Sequence, residues 1–249
     1  MEAFLSLLNE NVVYEFLLLL ARILAFVAFM PIFGDAAVSV RIRIAFAFYM
    51  TVFLFPVVDI TTAINQETFI IGLISEITLG AIASLLFQIM FAAVKIIGDF
   101  VGYSTALSMA MMFDPSTGSQ EGLVSKLLYW IIIALFFQTG MYEMTIVMLV
   151  KSFSMIHLGS FDIFSYDGIQ LAIDEIKRMF AFAFAFALPL FFIGFIMDLY
   201  YGYGTKSMPA FSPFVITFQM KFGLIFLFLM FGMEVFTETF TEYFLSKFQ

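Results

Sequence analysis

Ionisable residues set inside long apolar runs constrain this chain more than any other feature. A helix needs about 20 predominantly apolar residues to cross a bilayer, and about six runs approach or exceed that length. The first, 12–33, carries Arg22 and ends at Pro31, Gly34 and Asp35. The second, 44–58, is short, preceded by Arg41 and Arg43 and closed by Pro56 and Asp59. The third, 69–97, holds Gly72, Glu76, Gly80 and Lys95, and the fourth, 123–150, is broken by Gln138, Thr139, Gly140 and Glu143. The fifth, 179–203, is interrupted by Pro189 and carries Asp198; the sixth, 214–236, contains Lys221. A charged residue at a helix centre costs about 2.5–3.5 kcal/mol on insertion scales. Arg22, Glu76, Lys95 and Asp198 therefore make several of these runs poor inserters, suited to burial among protein neighbours as much as among lipids.

The rest of the composition closes off other classes. With 63% hydrophobic residues, 12% charged residues and 37 Phe, the chain has far more apolar surface than a soluble domain of its length can hide. It is expected to be an all-α membrane or membrane-assembly protein. Its net charge of −8 and its lack of a Lys/Arg cluster argue against a nucleic-acid partner. There is no Cys, so neither a disulfide nor a thiolate metal site can form, and His157 is the single histidine. Hydrolase, kinase, phosphate-loop and dinucleotide fingerprints are absent, so no catalytic residue, metal or cofactor is expected. Glu2 stands where a signal peptide would carry a cation, so the first run is expected to be retained.

Between the runs, 151–178 reads as a polar interval with a helix over 167–178. Phe180, Phe182, Phe184 and Phe186 alternate with Ala, a period-two pattern. A lone strand in lipid would leave its backbone unsatisfied, so the segment is expected to be helical, with aromatic bulk on several faces and Ala permitting close approach. Glu234, Glu238 and Glu242, four apart, fall on one face of a terminal amphipathic helix. Arg41 and Arg43 place the first connection in the cytoplasm, yet Lys151, Lys177 and Arg178 would then fall outside, so a simple zigzag across a bilayer is not expected.

The stretch 98–122 carries signals that a span should lack: four glycines (Gly98, Gly102, Gly118, Gly122) and the turn residues Asp114-Pro115 before Ser116, Thr117 and Gly118. Beside that turn sits a soft cluster of Met109, Met111, Met112 and Phe113. Met commonly fills gaps in a core, but a deformable apolar plug beside a polar turn also reads as a displaceable seal, since apolar constrictions close pores by excluding water.

Two readings apply to the buried ionisable residues. Glu76 is either a proton-relay group or a protein-facing acid paired with a backbone amide or with Arg22. Lys95 and Asp99 stand four apart and can pair on one helix face. An alternative function follows from the first reading: a proton- or ion-coupled secondary transporter using Glu76 and Asp198.

The order of these features is familiar. Arg22 is followed by Met30-Pro31-Ile32-Phe33-Gly34-Asp35, Arg41, Arg43, Glu76, Gly80, Gly98-Asp99, Gly102 and Asp114-Pro115. Then come Ser152-Phe153, Leu158-Gly159, Leu188-Pro189, Gly204, Met208-Pro209, Phe214 and Phe218. Across nearly the whole chain this resembles the FliR/SctT family of type III secretion systems. The resemblance implies a subunit of the flagellar protein export gate in the bacterial inner membrane, at the base of the flagellar basal body. It implies a helical complex with FliP and FliQ homologues, joined by FlhB and FlhA, passing unfolded substrates. It further implies a FliP-like part over about 1–175 and a FliQ-like part over about 176–249. The family's channel plug falls on Met109, Met111, Met112, Phe113, Asp114 and Pro115.

Overall fold

Each apolar run becomes helix because a backbone removed from water must satisfy its own N–H and C=O groups. A computed structural model describes residues 10–34, 38–58, 66–105, 122–161, 168–207 and 213–246. Among them the regular structure is all α: α1 (Glu10–Phe29), α2 (Pro31–Gly34), α3 (Val40–Leu54), α4 (Gln66–Ser104), α5 (Leu123–Gln138), α6 (Met141–Met155), α7 (Gly168–Ser207) and α8 (Pro213–Leu245). By length and composition α1, α4, α7 and α8 can each cross a membrane, and α5 with α6 forms a bent pair that qualifies jointly. The chain is an all-α integral membrane protein.

The punctuation is mostly where the residues place it. Pro31 opens α2 directly after α1, and α3 gives way to a turn at Phe55–Pro56–Val57. Gly140 separates α5 from α6 with a φ of 75°, a left-handed backbone that glycine adopts without steric cost. Two expectations change. The helix expected over 167–178 and the fifth run are not separate, since α7 is continuous for 40 residues from Gly168 and carries Pro189 in its interior. Proline removes one backbone hydrogen bond, and the surrounding turns carry the helix through it. Likewise Gly98 and Gly102 do not loosen a loop: they lie inside α4, which continues to Ser104.

The chain divides into two compact units, 1–89 with 139–175 and 90–138 with 176–249, so that α4 and α7 each contribute to both. In the first unit, Leu18, Leu19, Ile23 and Phe26 of α1 and the following Met30 are buried, with Phe26 edge-on to Phe87 of α4 at 5.8 Å. Met141, Leu149 and Phe153 of α6 and the following Leu158 are buried in the same unit. Only Ala47 and Thr51 of α3 are buried, a narrow stripe one turn apart.

The core of the second unit is aromatic. Phe236, Phe240 and Phe244, at four-residue spacing on α8, are fully buried. Phe91 of α4 packs against Phe136 of α5 and Phe240 of α8 at 6.5 and 6.3 Å, in the edge-on geometry that aromatic quadrupoles favour. The Ala-Phe alternation resolves into two rows. Phe184, stacked on Phe180, meets Phe100 of α4, whereas Phe182 and Phe186 meet Phe236 of α8. Ala183 and Ala187 are buried between the rows. The carboxylate face of Glu234, Glu238 and Glu242 is exposed.

Candidate functional site

Arg22 and Glu76 are the most completely buried charges among the described residues, at 2% and 0% side-chain exposure. The guanidinium binds the carboxylate through two donors: Nε to Glu76 Oε2, and Nη2 to Glu76 Oε1 at 3.0 Å. Its remaining N–H groups reach the end of α6. Nη1 donates to the Ser152 carbonyl at 3.1 Å and to Ser152 Oγ at 3.4 Å, and Nη2 also donates to the Ile156 carbonyl at 3.1 Å. The Phe153 ring lies 4.4 Å from Cζ, close enough for a cation–π contact. All five donors of the planar fork are thus used.

At the end of α6 the Ser152 carbonyl already accepts the Ile156 backbone N–H at 3.0 Å. Arg22 adds a second donor there from another helix and meets the Ile156 carbonyl just past the helix, and Glu76 Oε1 accepts the Gly159 backbone N–H at 2.8 Å in the turn that follows. Gly159 has a φ of 73°, which a side chain would strain. Burying two charges is costly unless their hydrogen bonds are satisfied, and removing one partner of such a pair typically costs about 3–5 kcal/mol. The cluster therefore ties α1, α4 and the 152–159 turn together. Both Glu76 oxygens are engaged, which is the paired-acid alternative of the two readings.

Three α4 residues that sequence reasoning did not group complete this crossing. Gly72, Glu76 and Gly80 stand four apart. A Cβ at Gly80 would lie 2.4 Å from the Arg22 carbonyl oxygen and 2.9 Å from Ala25 Cβ, and one at Gly72 would touch Leu18 and Gly159. The signal was the small-residue spacing that lets membrane helices approach closely, here with an acid at its centre. Ser152 and Ile156 carried no such signal, because their backbone oxygens are the ligands.

Asp198 and Lys221 form a second pair, between α7 and α8, at 2.7 Å. The Lys221 stem passes Gly194, where an added Cβ would lie 3.0 Å from Cε. Lys95 and Asp99 have partners on α5: Asp99 accepts a hydrogen bond from Ser125 Oγ, and Lys95 Nζ lies 5.5 Å from the Tyr129 ring centroid. Gly98 allows this, since a Cβ there would come within 2.3 Å of Ser125 Cα. Met109, Met111, Met112, Phe113, Asp114 and Pro115 lie outside the described residues. Among the described residues no group of His, Cys, Asp or Glu is placed to hold a metal ion.

Comparisons with known proteins identify the family. The family model described as bacterial export proteins, family 1, matches residues 13–246. The flagellar biosynthetic protein FliR of Bacillus subtilis (strain 168) is 28% identical over 223 residues, covering 88% of this chain and 86% of the relative. The protein of the same name from Pectobacterium carotovorum subsp. carotovorum is 28% identical over 211 residues, covering 84% and 80%. That of Aquifex aeolicus (strain VF5) is 24% identical over 244 residues, covering 97% and 93%. With nearly its whole length matched, the chain belongs to family 1 of the bacterial export proteins.

Proposed function

We infer that the chain is a non-enzymatic subunit of the flagellar type III protein export gate, lining and plugging the channel through which unfolded flagellar substrates cross the inner membrane at the base of the basal body. Its partners in this reading are FliP and FliQ homologues in a core complex, with FlhB and FlhA attached. In this reading a FliP-like part covers about 1–175 and a FliQ-like part about 176–249.

One observation supports the reading beyond family membership. The Arg22–Glu76 pair is buried within the chain, while large apolar side chains stay exposed on α3, α4, α7 and α8. Such a surface needs lipid or protein neighbours against it, as a subunit of a membrane assembly has.

The plug is assigned to Met109, Met111, Met112 and Phe113, with Asp114-Pro115 as its turn. Flexible thioethers can part for a substrate without breaking a hydrogen-bond network. Replacing the four apolar residues with Gly or Ser is expected to raise ion leak through the assembled gate while secretion continues. An unchanged leak in a complex of normal composition would refute the plug.

A further inference from the structure

The α7–α8 ion pair is only half satisfied by its own chain. Asp198 is 57% exposed, and among the described residues it is bonded through Oδ2 alone, to Lys221 Nζ. Oδ1 and the remaining Lys221 N–H groups have no partner there. This would be unremarkable on a polar surface, but the surroundings are apolar. Phe191, Phe195, Asp198 and Gly202 fall on one face of α7 at spacings of four, three and four, and all four are exposed. Gly202 sits inside the helix with no atom within 4 Å of the position a Cβ would occupy. A helix-interior glycine costs about 1 kcal/mol relative to alanine, and nothing among the described residues of the chain uses the space it leaves.

We propose that Phe191, Phe195, Asp198 and Gly202 form a seat for an apolar helix of another chain, which delivers one Asn or Gln side chain to the Asp198–Lys221 pair. The pair is neutral overall, and it leaves both an acceptor and donors unmet. A side-chain amide matches this, because its NH2 donates to Asp198 Oδ1 while its carbonyl accepts from Lys221 Nζ. An added cation would satisfy the carboxylate only, and an added acid the lysine only. Gly202 permits the close approach that small residues give membrane helices, and the two phenylalanines supply apolar contact beside the polar centre. The inference rests on the assembly reading above and specifies the chemistry of one interface within it.

The test places a photo-crosslinking residue at Phe195 in cells carrying the whole export apparatus, with adducts mapped by mass spectrometry. The expected adduct is an apolar helix of another subunit with Asn or Gln within one turn of the crosslinked position. Replacing that residue with Leu, or making Gly202→Leu in this chain, should lower adduct yield by about tenfold, the loss expected for hydrogen bonds to charged groups. Gly202→Leu fills open space, so membrane accumulation of the chain should not fall. Adducts with lipid alone, with the chain's own residues 106–121, or with a helix lacking an amide would overturn the seat while leaving assembly intact. A chain found unassembled in the same cells would overturn the assembly reading itself.

Discussion

Arg22 shows how one side chain can join several elements. Its donors meet Glu76, Ser152 and Ile156, so a helix end and a turn are held by the chain's own groups. Arg22→Met leaves Glu76 buried and half-paired and is expected to destabilise the chain by about 3–5 kcal/mol. The double variant Arg22→Met/Glu76→Leu should lose less than Arg22→Met alone, because it removes the stranded charge. Thermal unfolding in detergent measures both, and a double variant worse than Arg22→Met would show that the pair contributes more than mutual neutralisation. From the amino acids alone Glu76 had two possible roles, and Arg22 was one of its named partners. The surroundings of the pair add the Gly159 N–H and the Ser152 and Ile156 carbonyls, which are backbone groups that side-chain identity cannot locate.

At the level of elements, glycines decide where α4 can be approached. Gly80 seats α1 and Gly98 seats α5, with added Cβ atoms falling 2.4 and 2.3 Å from the neighbouring backbone. Gly98→Ala should force α4 and α5 apart and lower the melting temperature, whereas Gly204→Ala, which meets nothing within 4 Å, should be neutral or slightly stabilising by up to about 1 kcal/mol. Similar losses at the two sites would refute the close-crossing account. Pro189 makes a contrasting case. It interrupts the apolar pattern and yet sits inside a 40-residue helix. Pro189→Ala restores one backbone hydrogen bond and is expected to raise thermal stability without lengthening α7; loss of stability would mean that the proline ring itself is packed. The Phe rows of α7 were legible as helix because lipid forbids a lone strand, but which row met α4 and which met α8 was not.

At the scale of the whole molecule, apolar side chains remain exposed on α3, α4, α7 and α8, among them Phe53, Ile71, Tyr200 and Phe231. Surfaces of this kind need lipid or other subunits against them. Purification in mild detergent with co-expressed FliP- and FliQ-like subunits should give a particle far heavier than the 28.3 kDa chain, and a lone chain under those conditions would contradict the assembly reading. The charges find partners within the chain, Arg22 with Glu76, Asp198 with Lys221 and Asp99 with Ser125, so it is the apolar surface that calls for neighbours.

Composition and periodicity by themselves determined the class: helices in an apolar setting, with breaks at Gly140 and Pro56. These follow from rules that act locally, since a dry backbone must bond to itself and a turn needs residues that tolerate it. Only the tertiary structure decided which charge meets which, that α4 and α7 run unbroken, and that Gly72, Glu76 and Gly80 read against α1. Those outcomes depend on contacts between residues far apart in the chain, where partner identity is set by packing distance and not by neighbouring sequence.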